Sequence, residues 1–126
     1  MHQNLALFGT AADMAAHASQ RINQTAINIA NADTPGYRAQ TIGGFAEAYA
    51  GALPGSALRQ TRAHHLAGDG LAPTNIQRAA VEESPNGNSV SLELETLAAI
   101  DAQREHNQAL SIYRHGLTML RTAIGG

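Results

Sequence analysis

The chain has 126 residues, which is enough for one domain at most. Its net charge of −2 at pH 7 argues against nucleic acid or an anionic membrane as the main partner. Apolar residues make up 44% of the chain but aromatic residues only 4%, and much of the apolar content is alanine. Because each alanine buries little apolar area, we predict a thin core in the isolated chain, with interfaces between subunits supplying the rest.

The absence of cysteine and the sequence of the N-terminus further limit the kinds of protein that this chain can be. Cysteine is absent, which excludes disulfides and thiol catalysis. Residues 1–5 carry no lysine or arginine and no convincing cleavage site follows, so we expect no cleaved secretory signal peptide. No stretch approaches the ~20 apolar residues of a membrane span. Composition alone would therefore place the chain in the cytoplasm.

The first predicted element is a long N-terminal helix. It starts near Thr10, or from Leu5, and ends near Ala30, with Thr10 as a candidate cap and Asp13 three residues on. Apolar residues recur at a spacing of three and four, as in a coiled coil or a plain bundle helix. The members of this predicted seam are Leu5, Phe8, Ala12, Ala15, Ile22, Ala26 and Ile29. Polar residues, among them His17, Gln24 and Asn28, are expected mostly on the other faces.

The helix is predicted to break in residues 28–39, which read Asn-Ile-Ala-Asn-Ala-Asp-Thr-Pro-Gly-Tyr-Arg-Ala. Pro35 has no N–H and disfavours the helical conformation for the residue before it. Gly36 is free to take a positive φ, so Pro-Gly predicts a sharp turn. We expect the side chains of Asn28 and Asn31 to hydrogen-bond backbone at this break.

The middle segment, about residues 40–88, is rich in glycine, alanine and proline and is predicted to be irregular or ordered only by partners. Residues 45–49 suit either a helical turn or a short strand, and residues 81–83 a short extended piece. Residues 84–87, Ser-Pro-Asn-Gly, predict a turn. No sheet is predicted.

A second long helix is predicted from Ser91 to about Ile124, with Ser91 as its cap and glutamates in its first turn. Its last part carries an apolar seam, and its first part a weaker one that includes Leu94 and Leu97. The stretch 101–108 is too polar for a dry core, and it faces either solvent or a neighbouring subunit. The members of the later seam are Leu110, Tyr113, Leu117, Leu120 and Ile124.

Candidate catalytic chemistry is sparse. His64 and His65 are adjacent, but adjacent side chains diverge, and Asp69 is the only carboxylate close to them in sequence. No phosphate-binding loop is present, because the chain contains no lysine. No acid, base and oxyanion donors assemble in the sequence. We therefore predict no enzymatic activity, cofactor, metal site or small-molecule substrate.

Residues 28–39 resemble the signature of bacterial flagellar axial proteins, and a short chain with Thr-Pro-Gly-Tyr resembles the proximal-rod members of that family. Thr61 with His65-Leu66, and residues 87–95, resemble two further elements of the family. Ser91 stands where the family usually has aspartate, and arginines replace its usual lysines.

The predicted fold class is mainly α, with long N- and C-terminal helices that pair as a coiled-coil-like hairpin around an irregular or partly disordered middle. Residues 1–39, 40–89 and 90–126 together form one axial-protein domain. The resemblance implies that the loop after the first helix and the helix seams contact neighbouring subunits. The implied loop residues are Asn28, Ile29, Asn31, Thr34, Pro35, Gly36 and Tyr37, and the implied seam residues are Phe8, Ile22, Leu110, Tyr113, Leu117, Leu120 and Ile124.

The resemblance also implies a function: a structural subunit that polymerises into the torque-transmitting drive shaft around the flagellar export channel. The implied partners are other copies, other proximal-rod proteins, an adaptor at the rod base and the export gate. The implied location is the periplasmic rod of the basal body, reached by type III export without a cleaved signal. The alternative is a cytoplasmic helical adaptor or export chaperone that uses the same seams to bind partner helices.

Overall fold

The structure is a computed structural model that describes residues 2–52 and 76–125. Two long helices dominate it and pack side by side in opposite directions. Phe8 near the start of the first meets Tyr113 near the end of the second, and Arg21 meets Glu105 midway. The elements in chain order are α1 (His2–Ala30), β1 (Gln40–Ile42), α2 (Phe45–Ala52), β2 (Ile76–Arg78) and α3 (Leu92–Gly125). This confirms the predicted helical hairpin.

Small residues form the contact between α1 and α3. On α3 the buried positions recur every seven residues, at Glu95, Ala102, Ala109 and Gly116. On α1 the same period runs through Ala11, Ala18 and Thr25, all buried. A seven-residue period keeps one face of each helix against its partner, and small side chains let the two backbones approach closely. A Cβ on Gly116 would lie only 3.0 Å from Cε1 of Phe8.

Phe8, Ala15 and Ile22 of the N-terminal seam predicted from sequence are half-buried, but two of its other members are displaced by one position. Ala12 and Ala26 are exposed, whereas Ala11 and Thr25 are buried. The predicted start of α1 is also wrong, because the helix already begins at His2. Thr10 lies inside the helix, where its hydroxyl donates to the carbonyl of Ala6 at 2.9 Å, so it is not a cap.

The start of α3 follows the prediction closely. Ser91 directly precedes the helix, and its carbonyl accepts the N–H of Glu95 at 2.9 Å. Its hydroxyl oxygen lies 3.5 Å from the backbone nitrogen of Leu94, at the long limit of a capping hydrogen bond. The glutamates of the first turn suit the positive end of the helix dipole.

The middle segment contains a small sheet that the sequence did not predict. β1 and β2 pair antiparallel, with Gln40 opposite Arg78 and Ile42 opposite Ile76. Strands of three residues are too short to show an alternating pattern, and their partners are far apart in sequence. Residues 45–49, for which a helical turn or a short strand was predicted, belong to the helix α2. The histidine pair at 64–65, with Thr61, Leu66 and Asp69, lies outside the described residues.

The core is thin, as predicted. The buried apolar residues among those described are Ala11, Ala18, Ala39, Ile42, Ala102 and Ala109. Large apolar side chains lie outside instead, for example Leu97 at 55% exposure and Ile124 at 79%. Within the described ranges, no helix has the length and hydropathy needed to cross a membrane.

Two adjacent alanines test the position of the seam. We expect Ala11→Leu to force α1 and α3 apart and to lower the free energy of unfolding by about 1–3 kcal/mol, the usual cost of overpacking. Ala12→Leu, the same change on the exposed face, should stay within about 0.5 kcal/mol of the wild type. Thermal unfolding followed by circular dichroism measures both. The reverse order would show that the seam predicted from sequence is the real one.

Candidate functional site

Asn28 links the end of α1 to the strand that follows the break. Its side chain is fully buried, at 1% exposure. Its Nδ2 donates to the carbonyl of Gln40 at 2.7 Å. Its Oδ1 accepts the N–H of Gln40 at 3.2 Å, the hydroxyl of Tyr37 at 3.0 Å and Nε2 of Gln24 at 3.2 Å. One asparagine thus holds a helix, a strand and an aromatic ring together.

Burial raises the pKa of the Tyr37 hydroxyl above its usual value, and the negative charge of Glu95 adds to this effect. The phenol is the donor in the hydrogen bond to Oδ1 of Asn28, and this bond links the ring to α1.

Asn28 belongs to a polar face of α1 that is buried. Its burial was not predicted from the sequence. His17, Gln24 and Asn28 lie seven and four residues apart, so they share one side of the helix. β1 and α2 pack against α1, and the ring of His17 meets that of Phe45 edge-on at a centroid distance of 5.8 Å. The sequence placed these three residues off the apolar seam and did not predict that β1 and α2 would bury them.

His17 lies between α2 and an ion pair that joins the long helices. Nη1 of Arg21 approaches Oε2 of Glu105 to 2.7 Å, an ion pair by distance that lacks hydrogen-bond alignment. Burial lowers the pKa of His17 below its ordinary value of 6.5; Glu105 opposes this effect and Arg21 adds to it. Among the described residues, Nδ1 of His17 has no hydrogen-bond partner. The imidazole is thus held in its neutral form.

Residues 31–39 follow α1 and are called here the signature loop. Its turn is built by Pro35 and Gly36: the N–H of Tyr37 donates to the carbonyl of Thr34 at 3.2 Å, and Gly36 has a φ of +75°. Proline followed by a residue with positive φ is the pattern of a type II turn. The predicted turn and the predicted positive φ are both confirmed.

Asn31 secures the start of this loop. Its Nδ2 donates to the carbonyl of Ile27 at 2.8 Å, and the same carbonyl accepts the backbone N–H of Asn31 at 3.2 Å. Its Oδ1 accepts the hydroxyl of Thr34 at 3.2 Å. Both asparagines of the motif therefore bond to backbone, as expected, although Asn28 does so across twelve residues rather than locally.

A second turn, at residues 84–87, lies against the first. The N–H of Gly87 donates to the carbonyl of Ser84 at 2.8 Å, which confirms the turn predicted there. The carbonyl of Asn86 accepts the N–H of Gly36 at 3.0 Å. A Cβ on Gly87, whose φ is +80°, would lie 3.4 Å from Cα of Gly36, so the two turns are in van der Waals contact.

Asn88 follows the second turn and reaches into the signature loop. Its Nδ2 lies 2.9 Å from the carbonyl oxygen of Asn31, 2.9 Å from that of Ala32 and 2.8 Å from that of Thr34. Its Oδ1 accepts the N–H of Val90 at 2.8 Å. The side chain is buried, so these contacts replace solvent around the loop carbonyls.

Ser89 continues the same contact. Its N–H donates to the carbonyl of Tyr37 at 3.0 Å, and its hydroxyl accepts the N–H of Ala39 at 2.8 Å. Outside this pairing, Arg38 and Glu83 form an exposed ion pair. Asn88 and Ser89 were not among the site residues inferred from sequence. Their only signal there was that residues 87–95 resemble an element of the axial-protein family.

The structure brings the predicted loop residues together and spreads the seam residues along the hairpin. In the loop set Asn28 is buried, Asn31 and Tyr37 are half-buried, and the other four are exposed: Ile29, Thr34, Pro35 and Gly36. In the seam set four are half-buried, namely Phe8, Ile22, Leu117 and Leu120, and three are exposed, namely Leu110, Tyr113 and Ile124. Their contacts with other subunits stay predictions.

Within the part of the chain that the structure describes, no group of three or more histidine, aspartate or glutamate side chains is placed to hold a metal ion. The arrangement consists of hydrogen-bonded backbone and packed turns. It can fix the shape of a surface, and this is the chemistry of an interface.

Comparison with known proteins agrees with a role in assembly. Residues 10–38 match the family described as flagella basal body rod protein. The flagellar basal body rod protein FlgB of Cereibacter sphaeroides strain ATCC 17029 is 33% identical over 108 residues, which is 84% of each chain. The protein of the same name from strain ATCC 17023 is also 33% identical over 108 residues, with the same coverage.

Two glycines with open space around them test the turn. A Cβ would meet nothing within 4 Å at either Gly36 or Gly9, but only Gly36 has a positive φ. We expect Gly36→Ala to cost about 1 kcal/mol through backbone strain. Gly9→Ala, inside α1, should instead stabilise the chain by up to about 1 kcal/mol. Equal effects in chemical denaturation would show that the turn does not need its glycine.

The pKa of His17 sets the direction of a pH dependence. Because the folded pKa lies below 6.5, the unfolded chain binds more protons as the pH falls through that value. Stability contributed by the neutral ring is therefore complete above about pH 6.5 and is lost as the pH falls toward the lowered pKa. We expect the melting temperature of the wild type to fall more steeply below pH 6.5 than that of His17→Leu. Parallel curves would contradict this.

Proposed function

The chain belongs to the FlgB family of flagellar basal body rod proteins, and we propose that it is a structural subunit of the proximal rod. In this proposal, copies polymerise into the drive shaft that transmits torque and encloses the export channel. The paired α1 and α3 form the inner wall, and the signature loop wedges between subunits. Helical polymers of this kind arise from head-to-tail contacts that do not close.

The observation that carries this proposal is the outward placement of the large apolar side chains. Alanines occupy most of the buried apolar positions between the described elements, whereas leucines and isoleucines lie at the surface. Exposed apolar surface of this extent is typical of proteins that associate. A subunit that gains most of its apolar burial from neighbours is stable in the polymer and weak alone.

The exposed apolar residues form two groups on the hairpin. Because α1 and α3 are antiparallel, the end of α1 lies beside the start of α3, and one group gathers there: Ile27, Ile29, Leu92, Leu94, Leu97 and Ile100. The other group lies toward the opposite end and consists of Leu5, Leu110, Tyr113, Met119 and Ile124. The polar stretch 101–108, with the Arg21–Glu105 pair, separates them. Two apolar areas on one elongated subunit suit contacts with more than one neighbour.

The proposed partners are those that the resemblance to flagellar axial proteins implies. They are other copies of the chain, other proximal-rod proteins, an adaptor at the rod base and the flagellar export gate. The proposed location is the periplasmic rod, reached through the flagellar type III system without a cleaved signal peptide. A cytoplasmic adaptor or chaperone with the same helices would remain in the cell, which separates the two readings experimentally.

A double substitution on the exposed part of the C-terminal seam tests the proposal. Leu110→Gln with Ile124→Gln removes apolar surface at positions exposed by 37% and 79%, and glutamine favours helix about as well as the residues it replaces. We expect a full-length, exported protein that is absent from purified basal bodies, in cells that do not swim. His115→Gln, an exposed polar change on the same helix, is the matched control and should assemble normally.

Two results would contradict the proposal. The double variant in basal bodies at the wild-type level would show that this face does not hold the polymer together. A wild-type chain that stays in the cytoplasm and is missing from basal bodies would favour the adaptor.

A further inference from the structure

We propose that Asn88 is the positioning residue of the signature loop, and that the loop takes its assembly-competent shape only when residues 84–89 dock on it. This inference rests on the proposed function, because it assumes that the loop contacts a neighbouring subunit. It assigns a role to a residue that lies more than fifty positions from its partners in the loop.

The loop has few hydrogen bonds of its own. The N–H groups of Thr34 and Tyr37 donate to carbonyls three residues earlier, as in simple turns. The other backbone hydrogen bonds of residues 34–37 come from the docking segment: the carbonyl of Asn86 accepts the N–H of Gly36, and the N–H of Ser89 donates to the carbonyl of Tyr37. Bonds to α1 order the start of the loop, and the hydroxyl of Tyr37 bonds to Asn28. Between these points the turn has only short-range bonds, which offset little of the entropy of ordering it, so the loop needs the segment.

Asn88 is the centre of this docking. Three carbonyl oxygens, those of Asn31, Ala32 and Thr34, converge within 2.9 Å of its Nδ2. In the observed loop conformation these carbonyls all point toward one side chain, which supplies a donor. The carbonyls of Asn31 and Thr34 also accept turn N–H groups, but without the Asn88 amide three carbonyl dipoles would face one another at a part-buried site, which is unfavourable.

The orientation of the Asn88 amide is fixed from its other side. Its Oδ1 accepts the N–H of Val90, so its NH₂ group must face the loop. Oδ1 of Asn86 in turn accepts the N–H of Asn88 at 3.1 Å. Asn88→Asp keeps the size of the side chain and its acceptor for Val90, but it places an oxygen where the three carbonyls need a donor. This variant removes one interaction without opening a cavity.

The arrangement couples the loop to the hairpin. Asn88 lies four residues before α3, and Asn31 and Ala32 directly follow α1. The loop is therefore shaped by the same event that brings the start of α3 to the end of α1. A chain whose long helices have not paired presents no ordered loop to a neighbour.

The test measures hydrogen exchange in the full-length Asn88→Asp protein by nuclear magnetic resonance. We expect the amides of Gly36, Tyr37 and Ala39 to exchange roughly ten- to a hundredfold faster than in the wild type, as expected for the loss of a buried donor. The amides of Ala18 and Ala109, inside the paired helices, should keep their protection. Asn107→Asp is the matched control, since it makes the same change at an exposed position on α3.

Incorporation into basal bodies is measured in parallel, and we expect it to fall for Asn88→Asp. Unchanged loop exchange, or absence of loop protection in the wild type, would overturn the inference. A uniform loss of protection in α1 and α3 would also overturn it, because Asn88 would then support the whole fold rather than position the loop. Faster loop exchange with normal incorporation would support the role of Asn88 and instead refute the loop contact in the proposed function.

Discussion

The close approach of α1 and α3 is the constraint on which the other features depend. Ala18, Ala109 and Gly116 leave no room for larger side chains between the two backbones. Since small residues fill most of the space between the helices, many of the leucines and isoleucines lie exposed on the remaining faces. The subunit thus buries little apolar surface of its own, and much of its apolar surface is available for contact with a neighbour. Both its small apolar core and its exposed apolar surface follow from the close packing of α1 and α3 through small residues.

A seam of small residues leaves the relative position of the helices poorly determined. The alanines alone would tolerate a shift of α3 by seven residues, which places Ala102 where Ala109 now lies. Gly116 opposes this shift, because a Cβ at its position would lie 3.0 Å from Cε1 of Phe8. Polar interactions remove this ambiguity, as buried polar groups do in other paired helices. Arg21 meets Glu105 at the middle of the hairpin, and Asn88 ties the segment before α3 to the residues after α1. The hydrogen-bonded end of the hairpin therefore sets the register that the alanines do not.

Local chemistry determined what could be predicted from the sequence. The break of α1 and the turn at Pro35-Gly36 were predictable because proline and glycine act through their own backbone. The hairpin followed from two long periodic segments. The seam of α1 was displaced by one residue because alanine is equally frequent on both sides, so the pattern at Ala11 and Ala12 carries no preference. The burial of Asn28 and His17 depends on β1 and α2. A local sequence pattern does not predict a packing partner that lies elsewhere in the chain.

The same network explains how an exposed turn can serve as a specific contact. Thr34, Pro35 and Gly36 face solvent, yet the backbone beneath them is held by Asn88 from one side. Tyr37, the next residue, is held by Asn28 from the other side. A surface that is ordered before it binds loses little conformational entropy on binding, so a small contact area is sufficient for specificity. In the proposed polymer, the apolar faces of the helices would provide most of the burial, whereas the turn would fix where along the neighbour that burial takes place. If the turn is ordered only when the two ends of the chain have met, as proposed above, correct folding of each subunit becomes a condition for its addition to the rod.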